Sequence, residues 1–216
     1  MVSKSRVTIL VKASPQPSKT YSETVCCAGI DGSGKWKRLY PIRFRHLSDD
    51  RTFSRWNVVD FKFKLPTSDN RRESCHVFED TIEVNSKVTN KNEKSRIVEE
   101  GMFASEKHAI DAGSSLALIR PRNVRLSWKK RPTTELEDIK SKYERQMRQA
   151  SLFDEELAAY EPCPFKFTMH YEDDSGPKSK TCADWETEAA FWNFNRKYDE
   201  DKALSYIEQK YCEDYV

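Results

Sequence analysis

The chain reads as an α+β protein. A basic, β-rich segment to about residue 132, folded as a compact curved or barrel-like sheet, precedes an acidic, mainly helical segment over 133–216 that packs on it. Three observations predict this. Short β-branched and aromatic runs punctuated by turn residues fill the first segment. Apolar residues at steps of three and four dominate the second. Charge divides at the same place: residues 1–132 hold 26 Lys+Arg against 15 Asp+Glu and residues 133–216 hold 11 against 20, so a formal net charge of +2 conceals halves of +11 and −9.

Each element has its own signal. Val7-Thr8-Ile9-Leu10-Val11-Lys12 is a short apolar strand ended by Ser14-Pro15-Gln16-Pro17-Ser18. Residues 23–30 form a second strand, and Asp31-Gly32-Ser33-Gly34 is a hairpin turn that brings residues 36–40 back as its partner. From Val59 the next strand alternates, which turns Lys62 and Lys64 away from the core. Beyond Pro66-Thr67-Ser68-Asp69-Asn70, residues 76–84 make one more extended segment. Residues 90–101 predict a short helix with Ile97 and Val98 inward, and Ser105 and Gly113 bound another as N-cap and C-terminal stop. Residues 116–119 and 124–128 supply two strands around Arg120-Pro121-Arg122.

In the second segment, Thr134-Glu135-Leu136-Glu137 reads as a capping box, followed by Leu136, Ile139, Tyr143 and Met147 on one helix face. Residues 164–171 alternate as a strand, and 173–177 form a loop. A helix from Thr181 carries Trp185, Ala189, Trp192 and Arg196 along one side, and a last helix over about 201–213 buries Leu204, Ile207 and Tyr211. Five to seven short strands with small inserted helices make the curved or barrel-like sheet the expected first segment.

Composition narrows the function classes. Charged residues make up 33% of the chain, aromatics 12%, and the mean hydropathy is −0.83. No run approaches the roughly 18 apolar residues of a membrane span, and Met1-Val2-Ser3-Lys4-Ser5-Arg6 lacks a signal peptide's apolar core, which places the chain in a cytoplasm. The six cysteines include no C-x-x-C pair and read as reduced thiols; a zinc set of Cys163, His170, Cys182 and Cys212 has spacings that match no familiar ligand pattern. No nucleotide-binding glycine loop and no G-x-S-x-G is present, and His46, His76, His108 and His170 are scattered. No cofactor is implied, and a divalent metal enters only with the nuclease alternative below.

One stretch carries the functional signal. Residues 35–47 interleave cations with Trp36, Tyr40 and Phe44, and such a pattern offers charge for phosphates and flat faces for bases. Arg38, Arg43 and Arg45 would neutralise phosphates, Trp36 and Tyr40 would stack on bases, and Arg71, Arg72, Lys129, Lys130 and Arg131 would extend the track. The bland alternative is an edge strand with a solvated cationic face. A second class of reading, a metal-dependent nuclease or base-modifying enzyme, would use Glu23, Asp69 and Glu73, although no spacing enforces their convergence. Structural pairing of Arg71 or Arg72 with Asp69 or Glu73 competes with it. In a third class, an assembly protein, the opposite charges of the two halves would hold a protein partner. Trp185 and Trp192, seven residues apart, read as helix core, with Asp184 and Glu186 complementing the helix N-terminus.

Two resemblances accompany these readings. Gln149-Ala150-Ser151-Leu152-Phe153 resembles the Q-x-x-L-F peptide by which bacterial DNA-repair and replication proteins dock on the sliding clamp, which implies partner contacts through Gln149, Leu152 and Phe153. More broadly, Pro17-Ser18-x-x-Tyr21-x-Glu23-x-Val25-Cys26, Trp36-x-Arg38-Leu39-Tyr40-Pro41-x-x-Phe44-Arg45, Asp69-x-Arg71-x-Glu73-Ser74 and Asp184-Trp185-Glu186 resemble an uncharacterised prokaryotic protein family. That resemblance assigns no activity; members of that family run on past the Trp-Glu helix into a further strand, a part this chain is expected to lack. The expected setting is a prokaryotic or viral nucleic-acid-processing or defence system. Lys19-Thr20-Tyr21-Ser22-Glu23 is also similar to a loop of small PUA-like folds that bind RNA and modified bases. Together these make nucleic-acid binding the expected function, with enzymatic activity left open.

Overall fold

The alternation of apolar residues in the first segment closes a sheet on itself. In the computed structural model, which describes residues 1–150 and 160–212, the first of these stretches by backbone alone from 147, the chain divides into two compact units, Met1–Ile119 and Arg120–Val216. Unit 1 contains β1 (Ser3–Lys12), a small pair β2 (Gln16–Ser18) and β3 (Ser22–Thr24), then β4 (Cys27–Asp31), β5 (Trp36–Tyr40), β6 (Asn57–Lys64) and β7 (Ser74–Lys87). The main sheet runs β1-β4-β5-β7-β6, and β1 also pairs with β6, so the ring of hydrogen bonds is closed. Only β5 and β7 run parallel, with Arg38 beside Ser74 and Tyr40 beside His76.

Register decides which side chains fill the interior. Val7, Ile9, Cys27, Leu39, Val59, Phe61 and Val77 share one phase of the strands, and all are nearly or wholly buried. The opposite phase near β1 and β4 is also apolar: Leu10 and Ile30 cluster with Val88 and Ile97, with Trp36, Trp56 and Val58 packed against them. Ile97 comes from helix α1 (Lys91–Glu100), whose N-cap Asn90 accepts from the backbone N–H groups of Asn92 and Glu93. The short helix α2 (Glu106–Asp111) is capped in the same way by Ser105. Burial of these apolar faces supplies most of the stabilisation, at about 25 cal/mol per Å² removed from water.

Unit 2 is smaller and layered. Strands β8 (Arg122–Lys130), β9 (Phe165–Asp173) and β10 (Gly176–Cys182) form a sheet of order β10-β9-β8. Leu126, Phe165 and Phe167 on one face pack with Phe191 of helix α4 (Trp185–Asn195) and with Ala203, Leu204 and Ile207 of helix α5 (Glu200–Cys212). A further helix, α3 (Thr133–Ala150), buries Tyr143, whose ring stacks on Tyr160 at 4.3 Å.

Several expectations are corrected. By its hydrogen bonds to β9, the strand Arg122–Lys130 belongs to the second unit, so the division falls after Ile119 and not after residue 132. Residues 116–119 make no strand; Leu118 forms a single bridge with Met102. Helix α3 begins at Thr133, which puts Thr134 inside the first turn and dissolves the capping box. Residues 176–182 form β10, since Gly176 at φ +105° turns the chain back along β9, and the following helix starts only at Trp185 with Asp184 as its cap. In that helix the buried positions are Thr187 and Phe191, while Trp185, Ala189, Trp192 and Arg196 line a cleft of about 430 Å³. The clamp-like peptide lies outside the described residues as regards Leu152, Phe153 and the side chain of Gln149.

Candidate functional site

The parallel β5–β7 pair sets side by side the polar residues of the strands' outward phase. Arg38 and Tyr40 of β5, Ser74 and His76 of β7, and Lys64 of β6 opposite His76 all occupy that phase. Tyr21 and the loop over residues 66–71 wall them in, and the result is a cavity of about 740 Å³. Tyr40 stays 43% exposed, and its ring meets that of Tyr21 edge to face at 6.5 Å. The cavity offers aromatic faces together with donors and acceptors.

Arg38 is the central cation. Its backbone N–H donates to the Glu73 carbonyl at 2.7 Å, which locks β5 to the start of β7. Its guanidinium donates to Ser115 Oγ at 2.9 Å and to Cys26 Sγ at 3.6 Å. Its Nε is buried with no hydrogen-bond partner among the described residues. A buried donor left unpaired costs about 1–3 kcal/mol. His76 is held neutral at pH 7, since burial and the nearby Lys64 both lower its pKa.

The carboxylates of interest are each committed to a different partner. Glu23 is fully buried and takes Arg45 bidentately, with Nε at 2.9 Å from Oε1 and Nη2 at 2.6 Å from Oε2. Asp69 accepts from Arg71 at 2.8 and 2.7 Å and from Ser74 Oγ at 2.7 Å, and these bonds hold its carboxyl well below the usual range. Glu73 accepts from the backbone N–H of Ser115 at 3.0 Å and from its hydroxyl. Burial pushes the Glu73 carboxyl up, but the Ser115 bonds outweigh it and the net shift is downward. Among the described residues no group of three His, Cys, Asp or Glu side chains is placed to hold a metal ion. Each of the three candidate catalytic carboxylates is thus tied to a partner of its own.

The cationic track is distributed in the same way. Arg38, Tyr40 and Arg71 come together at the cavity. Trp36 and Arg72 line a separate cleft of about 570 Å³ with Lys35, and Trp36 Nε1 donates to the Gly101 carbonyl at 3.2 Å. Arg43 is paired with Glu79 at 2.9 Å and Arg45 with Glu23, so neither guanidinium is an open phosphate ligand. Lys129, Lys130 and Arg131 lie in unit 2, where Lys130 pairs with Glu200 and Arg131 with Glu135. Of the residues lining the cavity, only Arg38, Tyr40, Asp69 and Arg71 were site candidates in the sequence; Tyr21, Cys26, Lys64, Ser68, Ser74 and His76 are among those that were not. Lys64 and His76 carried a signal in the alternation of their strands; the loop residue Ser68 carried none.

Unit 1 is therefore a closed mixed sheet with an aromatic and cationic cavity on its outer face, and unit 2 is a three-stranded sheet backed by helices. The chain belongs to the family described as Domain of unknown function (DUF8757), which matches residues 98–216, and residues 3–100 match Domain of unknown function (DUF8758). The second match begins inside unit 1, so Ser115, which holds Glu73, falls in the part matched by the second family. No curated protein and no solved structure matches the chain.

Proposed function

We propose that the chain binds nucleic acid and that the cavity over β5 and β7 receives one nucleotide of it. The observation that carries this reading is the convergence of Tyr40, Tyr21 and Arg38 around a space of about 740 Å³. A base has a flat face for Tyr40 and edge acceptors for a guanidinium, and Lys64 lines the same cavity to neutralise the flanking phosphate. The setting is a prokaryotic or viral DNA- or RNA-processing or defence system. Catalysis through Glu23, Asp69 and Glu73 is disfavoured because each is tied to its own partner.

Tyr40→Ala tests the reading. Tyr40 is exposed, so its loss leaves the fold intact. Stacking on an aromatic side chain is worth about 1–3 kcal/mol per base, so affinity for a labelled single strand falls about 5- to 150-fold with little change in salt dependence. Unchanged affinity in Tyr40→Ala would overturn the assignment of the cavity.

A further inference from the structure

We infer that the face of the unit 2 sheet turned away from α4 and α5 is a second contact surface, which takes the phosphate backbone of a single-stranded nucleic acid. Register fixes what this face carries. Opposite one another stand Arg125 and His170, Ser127 and Thr168, and Lys129 and Lys166. Leu126, Phe165 and Phe167 take the other phase, against the helices. Arg125, Lys129 and Lys166 are exposed, and among the described residues none of their three side chains makes a hydrogen bond or ion pair. His170 is fixed by Ser127, whose Oγ lies 2.8 Å from its Nε2.

Two features mark this face. Unit 2 holds 17 Lys+Arg against 20 Asp+Glu, and four of its other described cations find carboxylates: Arg122 with Asp174, Lys130 with Glu200, Arg131 with Glu135 and Lys142 with Asp138. Yet the cations of this face are left without one, although Glu172 stands at its end and accepts from Asn123. Moreover Lys129 and Lys166 are directly opposite, an arrangement of like charges that destabilises a sheet. An anion lying across the two strands removes that repulsion. The distribution selects a chain of anions over a single one. Arg125 and Lys129 are four residues apart on one strand, hence about 13 Å, too far for one phosphate to meet both. The face has no Phe, Tyr or Trp among these positions and its His170 is held by Ser127, so it reads backbone charge and not base identity.

This inference rests on the proposed nucleic-acid function, and the test separates the two. The full chain and the triple variant Arg125→Gln, Lys129→Gln, Lys166→Gln are titrated with a labelled single-stranded oligonucleotide from about 50 to about 200 mM salt, with thermal unfolding as a check on folding. The expected result is a salt slope lower by about two to three units in the triple variant, equal weakening for unrelated sequences, and an unfolding temperature unchanged or raised by removal of the Lys129–Lys166 repulsion. A slope equal to that of the unaltered chain overturns this inference alone. Absence of binding by the unaltered chain overturns both readings. Displacement of the oligonucleotide by equimolar inorganic phosphate would assign the face to single anions and overturn it as well.

Discussion

Replacing Arg45 by Ala removes the cation that, among the described residues, pairs with the fully buried Glu23 carboxylate. The guanidinium spans both oxygens and is itself 19% exposed, so the pair lies at the inner limit of solvent screening. Breaking a buried pair from one side leaves a charge without compensation and costs about 3–5 kcal/mol. Against a total of about 5–15 kcal/mol for a domain of this size, that is about a fifth or more of the stability of unit 1. With a urea dependence near 2 kcal/mol per M, the unfolding midpoint falls by about 1.5–2.5 M. The assay is urea unfolding followed by far-UV circular dichroism, with Trp fluorescence as second probe because the two units can unfold separately. Arg45→Lys keeps the charge but loses the fork and recovers only part of the loss. Glu23→Gln combined with Arg45→Met recovers more, because no bare charge remains. A loss under about 1 kcal/mol, together with a salt slope of binding lowered by one unit, would refute the reasoning: Arg45 would then be a phosphate ligand and not a strut.

Other consequences follow from the same geometry. Unit 1 should lose stability on acidification below about pH 4.5, because Asp31, Asp60, Asp69 and Glu73 all have carboxyls held below their ordinary values, so the unfolded chain binds more protons in that window. Urea midpoints measured between about pH 3 and 7 check this; a midpoint independent of pH would contradict it, and Glu73→Gln should flatten the dependence. Gly29→Ala should destabilise the closed sheet by about 3 kcal/mol or more, since a Cβ there would fall 2.3 Å from the Thr8 carbonyl oxygen and 3.2 Å from Ile9 Cα, both backbone atoms of the neighbouring strand. Gly32→Ala, which meets nothing within 4 Å, is the control, and equal midpoints for the two would refute the packing argument.

Local chemistry was legible in the residues; long-range pairing was not. The Asp31-Gly32-Ser33-Gly34 turn forms as read, with Asp31 Oδ1 accepting from the backbone N–H of Ser33 and of Lys35 and Gly34 at φ +76°. The alternation that sends Phe61 and Phe63 inward and Lys62 and Lys64 outward is present, and the helices capped by Asn90 and Ser105 start where those residues predict. The parallel pairing of β5 with β7 joins residues 36 positions apart, and no local pattern encodes it. The fate of the charges depends on that pairing and on equally distant contacts. Arg45 meets Glu23 across 22 positions and Arg43 meets Glu79 across 36, so residues that look like open phosphate ligands in sequence are paired in space. Strand β10 went unread because its exposed pattern of Gly, Pro, Lys, Ser and Thr resembles a loop until β9 is beside it.

The measurement that bears most directly on the account is fluorescence anisotropy of the purified chain with labelled single- and double-stranded DNA and RNA, from about 50 to about 200 mM salt, alongside Tyr40→Ala. The account predicts binding to single strands with a negative salt slope, and for Tyr40→Ala a weaker affinity at nearly the same slope. No binding at the low-salt end by the unaltered chain would contradict it.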